Sequence, residues 1–513
     1  MRELGFFTDG TICAPATIPG TGAISIIRVS GEDSLAIADK VIDVKGESLS
    51  ETEGYRLRYG TIFADDGSVL DNVIVSVFRA PHSYTGENSV EISCHASRFI
   101  VNAVLELLVN AGARIAAPGE FTRRAFVNGK MDLAQAEAVA DVIASQSAAA
   151  HRVAMNQLKG GFSSELKTLR EKLLTMTSLL ELELDFSEED VEFASRSELG
   201  ALVEETLTHI VRLTDSFSRG NAIKNGVPVA IVGATNTGKS TLLNALLGEE
   251  RAIVSDIAGT TRDTIEETLN LGGVMFRFID TAGIRETDEV VEKIGIERTF
   301  RKLNEASIVL GMTDLSRGED IVLSDAEYIW DKVNASSSDR EFVLLVNKCD
   351  VNGIESVAAG FAGVGSRAGF AGTGSGAGYV ETGSEAGCAG KAGKMARIEA
   401  ALREKGIVTK MIPISAKTGS GLPELTEALA EIGRRITGDT DETLVTNIRH
   451  YEALVRAATA LGRVRDGLKV ATLPPDLIAQ DLREALYHLG EIVGEISTDE
   501  VLGNIFRKFC IGK

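Results

Sequence analysis

Cysteine is scarce in this chain of 513 residues. Its five cysteines (Cys13, Cys94, Cys349, Cys388, Cys510) are scattered, and none has C-x-x-C spacing. That argues against a disulfide framework and a zinc site, and it fits a reducing cytosol. The N-terminus carries no basic segment followed by an apolar h-region, and no run approaches the roughly 18 apolar residues of a membrane span. The expected location is cytoplasmic. Positive charge is in deficit too: 53 Lys and Arg against 74 Asp and Glu leave a net charge of −21. Affinity for a phosphate backbone comes mainly from Lys and Arg displacing counterions, so action on RNA would need a local basic patch or a partner protein. Apolar content of 44% and charged content of 25% are those of a globular protein. The length exceeds what one core fills, which sets an expectation of about three domains.

What is present centres on Gly233-Ala234-Thr235-Asn236-Thr237-Gly238-Lys239-Ser240, which follows the apolar run Val227 to Val232. This is the G-x-x-x-x-G-K-[ST] pattern between a predicted strand and a predicted helix. Its glycines let the backbone fold around a polyphosphate with successive N–H groups pointing inward. Lys239 can reach the β- and γ-phosphates, and the Ser240 hydroxyl can ligate Mg²⁺. Four further elements follow in order. Gly259-Thr260-Thr261-Arg262-Asp263 offers a threonine hydroxyl to Mg²⁺ and the γ-phosphate. Asp280-Thr281-Ala282-Gly283 ends the predicted strand Val274 to Ile279, putting a carboxylate near the Mg²⁺ shell and a glycine N–H near the γ-phosphate. Asn347-Lys348-Cys349-Asp350 ends the strand Phe342 to Val346. Asp350 can accept both the N1–H and the exocyclic amine of guanine, a pairing adenine cannot make. Ser415-Ala416-Lys417 closes the base pocket after the strand Lys410 to Ile414. Five such elements in order predict a GTP-binding domain whose contacts also include Gly233, Asn236, Thr237, Gly238 and Thr241.

Another absence bears on hydrolysis. Ile284 follows Asp-Thr-Ala-Gly where many GTPases have a water-orienting glutamine, and an isoleucine cannot polarise water. The polar group must come from elsewhere, and Glu286, Asp288, Glu289 and Glu292 are the candidates nearby; most of them are expected on a solvated face. Asn236 is a second oddity. Its amide oxygen can ligate a monovalent cation beside the phosphates, with carbonyls of the segment Ser255 to Thr261 completing the shell.

Around this domain the pattern changes. Strand-like runs at Ala23–Val29, Val73–Phe78 and Ser89–Ser93, with a helical run Phe99 to Val109, predict an α+β domain over residues 1–127. Arg28 and Glu91 lie inside apolar strands, either as a solvent-facing or mutually paired couple or as anchors in a ligand pocket. A helical domain is expected in two parts, 128–221 and 439–513, with Leu166, Leu169, Leu173, Met176 and Leu180 marking one packing seam and Ile478, Leu482, Leu486, Leu489, Val493 and Ile496 the other. The nucleotide domain, 222–438, sits between them. Within it the stretch 353–394 has 13 glycines in 42 residues and reads as a flexible insertion. Near the end, Cys510 is followed by a terminal lysine that the prenylation signal does not favour. Arg507, Lys508 and Lys513 supply the positive charge that a nucleophilic thiol needs, against the plainer reading of an incidental cysteine.

Taken together, these motifs resemble the MnmE (TrmE) family of tRNA-modification GTPases. The resemblance runs through the Arg28 strand, Ser83-Tyr84-Thr85-Gly86-Glu87, Pro118-Gly119-Glu120-Phe121, Asp132-Leu133-Ala134-Gln135-Ala136-Glu137-Ala138, Leu184-Asp185-Phe186, the GTPase elements, Ile294-Gly295-Ile296-Glu297-Arg298 and Cys510-Ile511-Gly512-Lys513. It implies a multidomain fold: an N-terminal folate-binding α+β domain that mediates a homodimer, a discontinuous all-α helical domain, and an inserted Ras-like α/β P-loop GTPase domain. It implies Arg28, Glu91, Lys130 and Lys513 at a 5-formyl- or methylene-tetrahydrofolate site. Asn236, Ser255, Ile257 and Thr260 would hold K⁺, and Ser240 and Thr261 would hold Mg²⁺. The family's catalytic glutamate falls on Glu292, and Cys510 is the tail cysteine needed for modification. The implied activity is GTP hydrolysis coupled to installing an aminomethyl or carboxymethylaminomethyl group at C5 of the wobble uridine (U34) of certain tRNAs, with the FAD-dependent partner MnmG (GidA) in a heterotetramer or larger complex. One departure stands out: His95-Ala96-Ser97 replaces the family's His-Gly-Gly, which puts the backbone approach at the folate site in question. The competing class is a regulatory GTPase switch of the ribosome-assembly type. The folate-like domain and the tail cysteine speak against it, and the complete set of nucleotide elements speaks against a vestigial GTPase.

Overall fold

A computed structural model describes residues 10–185, 196–251, 267–279, 305–334, 340–350, 385–407, 409–438, 442–470, 474–496, 499–507, 509 and 512. The chain divides into two compact units. One comprises Met1–Ala144, Arg152–Ser216 and Thr443–Lys513; the other comprises Ser145–His151 and Phe217–Glu442.

The first unit contains a seven-stranded sheet. Its strands are β1 (Ile12–Pro15), β2 (Ile24–Ser30), β3 (Ile42–Val44), β4 (Arg56–Phe63), β5 (Val69–Phe78), β6 (Ser89–His95) and β7 (Arg114–Ile115), in the order β3-β4-β5-β6-β2-β1-β7. All neighbours are antiparallel except β1 and β7. Strand β5 shows why one face is core: Val73, Val75 and Val77 are fully buried, while Ile74 between them is exposed, the two-residue period of a half-buried strand. The helices Ser34–Val41 and Arg98–Asn110 close that face with Leu35, Ile37, Val104 and Leu108.

The same unit holds the long helices. The seam Leu166, Leu169, Leu173, Met176 and Leu180 is buried on the helix Gly161–Asp185, and that helix packs against Pro475–Val493. The latter packs on Ile448–Leu468, which in turn packs on Arg196–Asp215. Segments on both sides of the intervening unit therefore share one core, and each buried leucine contributes about 1.5–3 kcal/mol. The second seam ends earlier than the periodicity predicts. Gly494 adopts a left-handed C-cap and stops the helix at Val493, so Ile496 lies beyond it and is partly exposed. The last helix among the described residues, Asp499–Phe506, returns to the helix Leu133–Ala144 through Leu502 and Phe506, with Phe509 in the same cluster.

In the second unit the strands are β8 (Val227–Gly233), β9 (Glu267–Leu271), β10 (Val274–Ile279), β11 (Ile308–Asp314), β12 (Glu341–Asn347) and β13 (Lys410–Pro413), ordered β13-β12-β11-β8-β10-β9. Only β9 is antiparallel to its neighbour. A parallel sheet covered on both faces needs strands apolar on both sides, and β11 is buried at all seven positions. One face packs on the helices Lys239–Arg251 and Leu422–Thr437, the other on Glu319–Asn334 and Glu385–Glu404. That last helix begins inside the stretch 353–394 expected to be a flexible insertion, because its later turns carry Ile398 and Leu402 into the core. Helix also runs past the predicted end near Asn221, to Asn225. Among the described residues, no helix is long and apolar enough to cross a membrane.

Candidate functional site

The carboxyl ends of β8, β11, β12 and β13 point the same way, and the loops leaving them meet at one edge of the second unit's sheet. Such edges are where open parallel sheets bind ligands. After β8 the chain turns through Gly233–Gly238 into the helix that starts at Lys239. Gly238 has φ +100°, and a Cβ there would stand 2.4 Å from Asn347 Nδ2, so only glycine fits. Asn236 is left-handed at φ +60° and exposed at the crest, a conformation asparagine tolerates better than most side chains.

Asn347 ties the loops together. Its Nδ2 donates to the Thr237 carbonyl at 2.7 Å, and its Oδ1 accepts from the Ala416 N–H at 3.0 Å. One buried amide thus joins the loop after β8 to the loop after β13. Asp350 Oδ1 accepts from the Ser415 hydroxyl at 2.8 Å, and Thr237 is fully buried with its hydroxyl donating to Ala234 O. Lys239 folds back over the loop, donating to the carbonyls of Gly233 and Ala234 at 2.9 and 2.8 Å, and burial pushes its pKa down. Desolvation disfavours the ammonium, and two neutral carbonyls compensate less than an anion does. Asn236 and Ser240 have no side-chain hydrogen-bond partner among the described residues. Thr241 is exposed one residue further along the helix, and Lys417 is exposed in the loop after β13.

Sequence reasoning missed Asp314, the last residue of β11. Its carboxylate accepts from Lys348 Nζ at 2.7 Å and from the Ser316 N–H at 2.9 Å. Burial works against its ionisation, but Lys348 and Ser316 outweigh it and hold the carboxyl below the usual range. The only signal was an acidic residue ending an apolar strand. Ser255, Ile257, Thr260, Thr261, Asp280, Thr281, Ala282, Gly283, Glu292, Cys510 and Lys513 lie outside the described residues.

A second polar cluster lies in the first unit. Arg28 and Glu91 sit opposite each other on β2 and β6, and Arg28 Nε donates to Glu91 Oε1 at 2.9 Å. The Arg28 guanidinium also stands 5.1 Å over the Tyr84 ring and 5.6 Å over Phe121, with its Nη1 3.5 Å from the Gly512 carbonyl. Gly512 has φ +97°, and a Cβ would fall 2.0 Å from Pro15 O, which fixes glycine at that point. Lys130 Nζ donates to Pro81 O at 3.0 Å and is largely exposed. Behind them runs a partly buried network. Arg124 donates to both oxygens of Glu87 at 3.1 and 3.0 Å, to Glu120 at 3.1 Å and to Gly10 O at 2.9 Å, and Arg114 donates to Glu120 at 2.8 Å. Ser30 Oγ donates to Glu87 at 2.8 Å and shares a 2.7 Å hydrogen bond with Thr85. Neither Ala96 nor Ser97 has a positive φ, so the backbone there does not require the family's glycines.

Two comparisons bear on what class of protein this is. A family model described as the MnmE helical domain matches residues 133–510, and another, described as GTP-binding protein TrmE N-terminus, matches residues 11–130. Relatives are similar over almost the full length. A "tRNA modification GTPase MnmE" of Parabacteroides distasonis is 49% identical, spanning 98% of this chain and 100% of that protein. One from Bacteroides fragilis is 50% identical over 98% and 99%, and one from Porphyromonas gingivalis is 46% identical over all of both chains. The chain belongs to the MnmE (TrmE) family.

Proposed function

We propose that this chain is a cytoplasmic GTPase of tRNA modification, with a Ras-like P-loop domain inserted in a discontinuous helical domain. With an FAD-dependent partner of the MnmG (GidA) type, in a heterotetramer or larger complex, it adds an aminomethyl or carboxymethylaminomethyl group at C5 of the wobble uridine of certain tRNAs. The single observation that carries the nucleotide half is Asn347, whose amide ties the glycine loop at Thr237 to the Ser415-Ala416-Lys417 loop. A guanine nucleotide needs its phosphates and its base gripped by those two loops at once. The names of the relatives support the tRNA half.

The GTP contacts are Gly233, Asn236–Thr241, Ser255, Thr260, Thr261, Asp280–Gly283, Asn347, Lys348, Asp350 and Ser415–Lys417. Asn236 and Ser240 have side-chain oxygens without hydrogen-bond partners among the described residues, which suits hard cations. Asn236, with Ser255, Ile257 and Thr260, would hold K⁺, and Ser240 with Thr261 would hold Mg²⁺. Bound there, the cations supply positive charge at the phosphates. Glu292 orients the attacking water in place of the glutamine that Ile284 displaces. In the N-terminal region Arg28, Glu91, Lys130 and Lys513 take 5-formyl- or methylene-tetrahydrofolate as the one-carbon source. An arginine beside two aromatic rings supports a planar anionic ligand. That region also forms the homodimer, and Cys510 acts in modification.

The test is mass spectrometry of tRNA nucleosides from cells lacking the gene. Loss of the C5 substituent at the wobble uridine is expected; unchanged uridines would favour a regulatory switch. In vitro, GTP turnover indifferent to replacing K⁺ by Na⁺ would remove the cation from the reading.

A further inference from the structure

We infer that Asp314 is the positioning residue of the base pocket: acting through Lys348, it sets how tightly the chain holds a guanine nucleotide. The inference rests on the guanine-nucleotide reading above and adds a residue to it.

Asp314 ends β11 in parallel register with Asn347, the last residue of β12. The next residue, Lys348, has φ +62°, a left-handed conformation rare for lysine. With the backbone turned this way, its ammonium meets Asp314 Oδ2 at 2.7 Å. The other carboxylate oxygen is already used, accepting from the Ser316 N–H at 2.9 Å and the Ser316 hydroxyl at 2.6 Å. Asp314 is 4% exposed, so its carboxylate is buried, held by three donors and unable to swing away. The Lys348 side chain is 33% exposed.

A lysine fixed at its backbone and again at its tip is a strap whose side chain remains partly open. It stands two residues from Asp350, whose carboxylate is aligned by Ser415. A purine held by its edge at Asp350 needs an apolar surface against its ring face, and methylene stems commonly supply one. A free lysine loses rotamer freedom when it orders against a ligand. A lysine already pinned by Asp314 has lost that freedom in advance, so the ion pair preorganises the pocket. The residues that recognise guanine lie in the Asn347–Asp350 motif, while the residue that holds the motif's lysine in place lies 34 positions upstream.

The test uses the full-length protein and a fluorescent N-methylanthraniloyl GDP. Asp314→Asn keeps the side chain's shape and its acceptor for Ser316 but removes the charge facing Lys348. We expect GDP release about tenfold faster and affinity about tenfold weaker, as for loss of one charged hydrogen bond. The loss should appear in KM for GTP, with kcat falling less than about twofold. Lys348→Met should reproduce it, and the double variant should be no weaker than Lys348→Met alone, because both changes remove one interaction. Wild-type behaviour of Asp314→Asn, or losses that add in the double variant, overturns the proposal. If Asp314→Asn does not fold, Asp314→Ser retains an acceptor for Ser316 and carries the same cycle. Unchanged GDP release in Lys348→Met overturns the proposal by itself. A wild-type protein that binds no GDP sinks the guanine reading as a whole, whereas tight wild-type binding with an indifferent Asp314→Asn sinks only the role of Asp314.

Discussion

In the first unit both terminal nitrogens of the Arg124 guanidinium are answered, by Glu87, by Glu120 and by the Gly10 carbonyl, while its Nε is buried without a partner. In the second unit Lys239 is also largely buried, yet it meets only the carbonyls of its own loop, and Asn236 and Ser240 beside it meet nothing among the described residues. The contrast separates two uses of polar groups. Where buried charges are held mainly by opposite charges, the arrangement fixes structure. Where a buried lysine meets neutral carbonyls among the described residues, the arrangement suits the anionic ligand proposed above. Glu137 belongs to the first kind: it receives Arg449 at 3.0 Å through both oxygens and His450 at 2.6 Å, joining the helix Leu133–Ala144 to the start of Ile448–Leu468.

The largest expected effect tests the first kind. Arg124→Met leaves the Glu120 carboxylate buried with one partner fewer, and it should destabilise the first unit by about 3–5 kcal/mol, read as a fall in the urea midpoint. Should GTP turnover collapse while the midpoint stays put, the contrast fails. Next comes the second kind. Lys239→Ala should lower GTP turnover by about 10²–10³-fold while shifting the urea midpoint by no more than about 1 kcal/mol. A large loss of stability there would mean that Lys239 is structural after all.

The smallest expected difference is one of slope, and it is read in acid. Burial raises the Glu137 carboxyl pKa, but His450 and Arg449 outweigh it and bring the value from 4.5 down to about 2. A depressed folded-state pKa contributes stability that is fully present above the unfolded value of 4.5 and is lost as pH falls toward about 2. Urea midpoints should therefore drop across that window in the wild type, and the drop should be shallower in Glu137→Gln. Equal slopes for the two proteins would break the assignment of Glu137 to the paired class.

How much of this was legible beforehand depends on how far apart the partners lie in the chain. The glycine loop is a local device: eight consecutive residues between a strand and a helix specify their own turn, so Gly233–Ser240 could be read directly. The seam Leu166–Leu180 was legible for the same reason, since helical periodicity is written every three or four residues. Periodicity misled at Ile496 because it carries no stop signal, and Gly494 does. Composition misled at the start of the helix Glu385–Glu404, where glycine content argued for a loop but the core beneath accepts Ile398 and Leu402. No sequence pattern singled out Arg124 or Arg449, and Glu120 stood out only as part of a family motif. Nothing local distinguishes a charge that will be buried from one that will be solvated, because the difference is made by partners dozens or hundreds of residues away.

The sequence by itself determined the order of elements, the chemistry of the nucleotide loops and the family resemblance, all of which are carried by short contiguous motifs. Tertiary structure decided what those motifs touch. Asn347 became a bridge because parallel pairing of β8, β11, β12 and β13 brings four loops to one edge. Asp314 became the anchor of Lys348 because β11 and β12 run in register. Arg28 acquired Glu91, two aromatic rings and the Gly512 carbonyl from four separate stretches of chain. Contact between distant segments is a property of the packed core, and only folding supplies it.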